Sequence, residues 1–477
     1  MRTRLVLGLL LLVLPSVLWA SGTLIYEQGS KATAQAGAFV ARADDATAVF
    51  YNPAGIAFAK GMQFSFNETY INTDVHYETS YYVPGYPYPD HFGNLAGSYA
   101  NNAKNFFLEG LYFSMPINDV LSFGIMANAP FNLATDWSNI FPGRFSSRHA
   151  KIITYDIRPV FTVRFNEYNA MGFGVDYYDS EINLVRALNT SVLSTAVNPN
   201  TYPAPPYPAG IPYYAYSEGK INTWLRDQAW GWNISYLFKK APWSFGAAYR
   251  SRASFDYEGH THFDSSPAIG PLYALFPNQT TRLSLRSVPA IATAGFAYDD
   301  GTFTIELDAQ WTEWSTWDQG TAKFSVPTSL PTAVGPMWVV PPTEQFIFKW
   351  GNAWCWRLGF GYKLNPNWEL RWGLLYDQAP IPDDTTSPVL PDSNRWSVQF
   401  GAGYSDKHWG IDWYLMYLKF KNNAIASDNQ NRYYYTGLPY VYLPGQGQIY
   451  PVTYPVTPDG RYTGQAYLGG FQLNYKW

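Results

Sequence analysis

Along most of this chain apolar and polar residues alternate one by one. In 302–312 one set is Phe303, Ile305, Leu307, Ala309 and Trp311, and the other is Thr302, Thr304, Glu306, Asp308, Gln310 and Thr312. Period-two alternation puts the two sets on opposite faces of an extended strand. The same pattern sets Ile153, Tyr155, Ile157, Phe161, Val163 and Phe165 against Thr154, Asp156, Arg158, Thr162 and Arg164. It recurs with Trp368, Leu370, Trp372, Leu374 and Tyr376, with Trp396, Val398, Phe400, Ala402 and Tyr404, and with Trp409, Ile411, Trp413, Leu415 and Tyr417. The chain ends on Tyr467, Phe471, Leu473, Tyr475 and Trp477 opposed by Gln472, Asn474 and Lys476.

Fourteen such segments are predicted, near 62–79, 104–116, 119–130, 149–166, 169–185, 223–239, 242–258, 281–298, 302–313, 345–363, 367–379, 394–405, 408–422 and 462–477. A soluble sandwich or propeller also alternates. Two features oppose that reading. The apolar face begins and ends in Trp, Tyr or Phe with aliphatic residues between, as a lipid-facing band with aromatic girdles requires. The segments also run to about 10 residues or more, beyond the usual soluble strand of about 5–6. The fold class expected is all-β: a transmembrane antiparallel barrel of about fourteen strands, at 62–477. Asn365-Pro366-Asn367 and Asp299-Asp300-Gly301 read as short periplasmic turns. The long connections 80–103, 186–222, 259–280, 314–344 and 423–460, rich in Pro, Tyr, Ser and Asn, read as extracellular loops. An even strand count puts both termini on the periplasmic side.

Composition sharpens this picture. Aromatic residues make up 18% of the 477 residues and charged ones only 14%, against about 25% charged in an average globular chain. Mean hydropathy is nevertheless −0.22, the average over an apolar face, a polar face and long polar loops. A helical membrane protein needs apolar runs of about 20 residues, and the one run that approaches this is at the start. There Arg2 and Arg4, the apolar stretch Leu5 to Leu14, and Pro15 before small residues read as a secretory signal over 1–20. Cleavage is expected after Ala20, or alternatively after Gly22. The formal net charge of −4 leaves no basic patch for nucleic acid. Cys355 is the single cysteine, so no intramolecular disulfide forms.

Residues 21–61 do not alternate. Gln28 to Ala38 is built of small residues, and Asp44-Asp45-Ala46-Thr47-Ala48-Val49-Phe50 and Tyr51-Asn52-Pro53-Ala54-Gly55 follow. A fourteen-strand barrel lies between the 8-strand barrels that side chains fill and the 16-strand porins that leave an aqueous channel. A plug inside the lumen is therefore the better physical reading of 21–61, over a flexible leader.

The run from Ala43 through Gly55 resembles the hatch of FadL-type outer-membrane transporters, with Asn52-Pro53-Ala54 matching their NPA motif. Further similar runs follow in order: Phe131 to Trp137, Phe141-Pro142-Gly143-Arg144-Phe145, Trp311-Thr312-Glu313-Trp314-Ser315, Gly373 to Asp383, Leu390 to Trp396 and Gly401-Ala402-Gly403-Tyr404. The resemblance spans the whole mature chain. It implies passive uptake of long-chain fatty acids or similar hydrophobic molecules, captured outside and released sideways at an inward kink in the third strand. Channels for aromatic or alkane hydrocarbons are the alternative within the family. Asn128, Ala129, Pro130 and Phe131 fall at the end of the third segment and are the candidates for that opening. The start Ser21-Gly22-Thr23-Leu24 lacks the aromatic third residue common in the family, and the runs Tyr81 to Pro89 and Tyr440 to Tyr454 depart from its fatty acid members.

No catalytic or metal constellation emerges. The six histidines are scattered, and His260-Thr261-His262 is their single close pair. Inward carboxylates Glu306, Asp308, Glu369, Asp377 and Asp412 read as partners of inward Arg158, Arg164, Arg371 and Arg395 in a network bracing barrel and hatch, rather than as a glycosidase pair. A fatty acid carboxylate needs a cation in an otherwise apolar pocket, and Arg158, Lys349 and Arg357 are the candidates. Trp311, Trp314 and Trp317 read as a mark of the membrane interface. The expected partners are a hydrophobic small molecule, outer-membrane lipid and lipopolysaccharide. No cofactor and no nucleic acid are expected, and the chain is read as a monomer. A surface adhesin and an exported carbohydrate-active enzyme are the readings from other classes.

Overall fold

The computed structural model describes residues 22–79, 97–189, 218–264, 272–332, 335–383, 385–425, 440–442, 449–451 and 460–477. The signal expected at 1–20, the Tyr/Pro run 81–89 and most of 440–454 lie outside these residues. Antiparallel strands close into one barrel. They are β1 (Gln63–Thr79), β2 (Asn105–Pro116), β3 (Leu121–Asp136), β4 (His149–Arg164), β5 (Asn169–Asn189) and β6 (Glu218–Lys240). Next come β7 (Trp243–Arg250 continued by Ala253–Asp264), β8 (Gln279–Val288 and Ile291–Asp299), β9 (Phe303–Thr312 and Gln319–Phe324) and β10 (Thr343–Ile347 and Ala353–Lys363). The circuit ends with β11 (Trp368–Asp377), β12 (Arg395–Ser405), β13 (Trp409–Phe420) and β14 (Gly460–Lys476). β14 returns to β1 over a long ladder from Gln63↔Lys476 to Glu78↔Arg461, which closes the wall.

Alternation in sequence becomes alternation of environment. Along Ala253–Asp264 every second residue is buried and the others exposed. Leu307, Leu374, Val398 and Leu415 form part of the exposed apolar band. Ring pairs flank it on both sides, with Trp409 against Tyr475 (4.6 Å) near the short turns and Tyr177 against Trp230 (4.9 Å) toward the loops. Amphipathic rings suit both levels because one end of each ring system is apolar and the other wet.

Fourteen strands stand where fourteen were expected, with three corrections. β3 does not end at Pro130 but runs on to Asp136. The stretch 314–344 is more than a loop. Gln319–Phe324 prolongs β9, and Thr328–Thr332 pairs with Gly335–Val340 as a hairpin. Strands also extend past the membrane band elsewhere, with Ala253–Asp264 carrying β7 well into the connection expected at 259–280. Hydrophobic periodicity marks the lipid band, and once the partner face is water the ladder continues without that signal.

The N-terminal hatch fills the lumen. It holds two short helices, α1 (Ser30–Thr33) and α2 (Ala48–Tyr51), and a 3-10 turn at Pro53–Phe58. Its amides are held by inward carboxylates of β9. Asp308 Oδ2 accepts from Phe39 N (2.9 Å) and Val40 N (3.1 Å), and Glu306 Oε1 accepts from Ala41 N (2.6 Å). Arg42 lies 3.9 Å from Glu306 and 3.8 Å from Glu369, and Arg371 joins Glu369 to Asp412. Against partial desolvation inside the barrel, Lys31 at 2.7 Å and Arg42 together hold the Asp44 carboxyl well below the usual carboxylate range.

Close approach of hatch and wall depends on missing side chains. A Cβ on Gly246 would lie 1.9 Å from Val40 O, a backbone atom that cannot swing away. Gly246→Ala is expected to cost about 1–3 kcal/mol of overpacking, read as a lower temperature for the heat-induced shift in gel migration of the folded barrel. An unchanged transition temperature would show that the hatch backbone does not sit against β7.

Candidate functional site

One seam in the wall is open. β2 pairs with β3 from Pro116↔Ser122 up to Leu111↔Ala127, and the ladder stops there. The other edge of β3 stays paired with β4 as far as Asp136↔His149. Between Asn128 and Phe131 two residues of β3 face the single Tyr155 of β4, a bulge that bends the strand. Strict alternation fails at this point, and Asn128, Ala129, Pro130 and Phe131 are all buried. Proline has no N–H to give to a neighbour, so it fits an edge that has already lost its partner. Higher up the seam closes again, where Asp136 O accepts from Asn102 N (2.7 Å) and Asn101 Oδ1 accepts from Asp136 N (2.8 Å). The result is a window between the upper parts of β2 and β3.

The start of the hatch crosses the inner side of this window as a short arm. Ile25 N donates to Pro130 O (2.8 Å) and Asn132 N donates to Thr23 O (3.0 Å), so the arm takes the place of β2 along the bare edge. Gly22 N donates to Asp392 Oδ2 at 2.7 Å. Gly22 adopts φ +63°, and a Cβ there would meet the Trp314 ring at 2.7 Å. Trp314 is wholly buried in a cluster with Trp317 and Trp350, the last two stacked at 4.4 Å. Tyr112 OH donates to Gln28 O (2.5 Å) and accepts from Asn128 Nδ2 (3.2 Å), tying β2, β3 and the arm together.

Behind the window lies a cavity of about 480 Å3. Leu24, Ile71, Leu133, Ile152, Leu418 and Leu468 give it an apolar lining, and Phe107 and Tyr155 stand at its outer end. Its inner end meets Glu27, Asp392 and Arg395. Burial pushes the Asp392 carboxyl up to about 6 against the lowering pull of Arg395 and the Gly22 amide, and burial likewise raises Glu27. A mostly apolar chamber of this size with a few polar groups at its ends is suited to one hydrophobic small molecule.

Comparison with known proteins agrees with this geometry. The family model described as outer membrane protein transport protein (OMPP1/FadL/TodX) matches residues 11–477. The chain belongs to this family. A long-chain fatty acid transport protein of Salmonella typhi is 24% identical over 420 residues, covering 84% of this chain and 88% of that relative. Among solved structures, a FadL homologue of Pseudomonas aeruginosa superposes with a TM-score of 0.74 at 21% identity, covering 96% of this chain and 100% of the other. The toluene transporter TodX of P. putida superposes at 0.64 with 15% identity, covering 97% and 99%. Family membership makes this an outer-membrane barrel.

The family-like NPA triplet sits deep in the hatch. Asn52 is fully buried. Its Nδ2 donates to Val40 O (2.7 Å) and Tyr236 O (3.0 Å), and its Oδ1 accepts from Ala54 N (3.1 Å), with Pro53 opening the 3-10 turn. Of the three cations considered for a carboxylate, none lines the large cavity. Arg158 is held by Asp156 (2.6 Å) and Asp176 and faces the hatch carbonyls of Val49 and Phe50. Lys349 is exposed. Arg357 lies 3.8 Å from the Tyr26 ring centroid, beside a smaller void that shares Leu24, Glu27, Arg395 and Leu418 with the large one. Arg164 is not part of the lumenal network and donates instead to Asn166 O and Glu167 O in the turn after β4. Trp314 and Trp317 are interior residues and not interface markers. His262 pairs with Asp264 (2.9 Å). Sequence reasoning missed Glu27 and Lys151 as cavity residues, saw Asp392 only as part of a family-like run, and saw Arg395 as a member of the lumenal ion-pair network rather than of the cavity.

Proposed function

We propose that this chain carries long-chain fatty acids or similar hydrophobic molecules across the outer membrane without catalysis, and that they leave sideways through the window beside Pro130. The observation that supports this is the apolar cavity, which touches both inward Ile152 and outward-facing Phe107 and Tyr155 and so runs through the wall. An apolar ligand gains about 25 cal/mol per Å2 of apolar surface kept from water, so a route from chamber to lipid is favoured over one through the periplasm. The hatch at 21–61, with its Asn52-Pro53-Ala54 turn, keeps the axial path shut. Of the candidates Arg158, Lys349 and Arg357, Arg357 is nearest to the chamber, beside the smaller void that shares Arg395 with it. The barrel works as a monomer, its outer band against lipid and its loops among lipopolysaccharide.

Monoaromatic hydrocarbons are the second reading, favoured by the likeness to TodX, a toluene transporter. Uptake measurements separate the two. Cells that lack their own fatty acid porter and express this chain are expected to accumulate labelled long-chain fatty acid several-fold faster than vector controls. Faster accumulation of toluene with no gain in fatty acid would transfer the assignment to hydrocarbons, and no gain in either would end the transport reading.

A further inference from the structure

Resting on that transport reading, we propose that Lys151, at the outer rim of the cavity, receives the carboxylate head of a single-chain acid whose tail lies within. Ala150, Ile152 and Thr154 of β4 are buried toward the lumen, and Lys151, Ile153 and Tyr155 alternate with them on the other face. All three of the latter also line the cavity, which extends to the outer face beside the window.

The charges around the chamber are unequal. Its inner end carries Glu27, Asp392 and Arg395, and Arg395 is engaged twice by Asp377, from Nε at 3.0 Å and Nη2 at 2.9 Å. Glu109 stands on the β2 side of the window. Lys151 makes no ion pair or side-chain hydrogen bond among the described residues. Its register neighbours are Ala134 on β3 and Asn183 on β5. Glu181, diagonally across on β5, lies opposite Arg226, whose guanidinium is engaged by Asp179, and Asp136, diagonally across on β3, lies 3.5 Å from His149. An anionic head is therefore disfavoured at the inner end, among buried carboxylates, and favoured at Lys151, where a desolvated charge finds a partner.

Height along the wall agrees with this. Lys151 is opposite Ala134, just below the contacts of Asn101 and Asn102 with Asp136 that close the window, and Tyr155 lies in the aromatic band. Four residues of strand separate them, about 13 Å. A head at Lys151 thus sits at the level of lipid headgroups while the tail lies along apolar wall. The same cation is within reach of a lipid phosphate, and the test separates the two sources.

Purified full-length protein in detergent is titrated with oleate and with methyl oleate. Wild type is expected to prefer the acid by about five- to tenfold, the range for a charge-assisted contact discounted for partial exposure. Lys151→Met is expected to bring the acid-to-ester ratio to about one, and Lys151→Arg to keep the preference. Wild type that binds acid and ester equally well would overturn the proposal and leave the transport reading standing. A Lys151→Met protein with the wild-type ratio, but less co-purified lipopolysaccharide, would assign this cation to lipid phosphate and also overturn it. Failure to bind either compound would overturn both.

Discussion

Deleting Pro130 is expected to cut uptake of hydrophobic substrate by an order of magnitude or more while the barrel still assembles. The deletion leaves one residue between Asn128 and Phe131, opposite the single Tyr155 of β4, so the register on that side becomes regular. Parity is kept. Asn128 and Phe131 remain lumenal, and no residue above them has to change faces. A straight β3 brings its upper half alongside Asn105–Gly110 of β2, whose free edge offers the ladder groups needed to zip the seam. The gain of several backbone hydrogen bonds in lipid makes the closed wall the stable one. Heat-modifiable migration on a gel reports assembly, and uptake of labelled fatty acid reports the route. Full uptake through a properly assembled deletion variant would sink the lateral route.

Asn52→Ala is expected to have the second largest effect, by loosening the hatch without breaking the barrel. The amide is buried and joins the hatch to itself at Val40 O and Ala54 N, and to the wall at Tyr236 O. Ala54 N keeps its second partner, Ser235 Oγ at 3.0 Å, so the loss falls on the carbonyls. Stranding a buried carbonyl costs about 1–3 kcal/mol each. Asp308→Ala attacks the same joint from β9, freeing Phe39 N and Val40 N together. Both variants are expected to show proteolytic cleavage within 22–61, increased leak of small polar solutes and reduced fatty acid uptake, with the migration of the folded barrel retained. Protease resistance and uptake equal to wild type in both would mean that these bonds do not hold the hatch.

Strand number and facing were legible in the chain because lipid and lumen impose opposite demands on alternate residues. What pairs with what was not. Pro130 reads as a strand end when pairing is imagined on both sides, and in the fold it has lost one neighbour and kept the other. Trp314 and Trp317 have the composition of a membrane girdle, and their partner Trp350 is too distant in sequence to reveal that they pack inside. The Arg158 partnership was partly readable, since Asp156 is two residues away on the same face, while Asp176 comes from the next strand. Lys151 carries no mark in the sequence. Its meaning depends on the opening between the two strands before it.

The arm across that gap has a consequence for how such a barrel can be made. An unpaired strand edge is a template for pairing with any other extended chain. Gly22–Ile25 occupies the edge of β3 with this chain's own backbone. Without the arm, the upper edge of β3 would be bare as soon as its lower half pairs with β2. By covering that template with the chain's own backbone, the arm works against strand exchange with a neighbour.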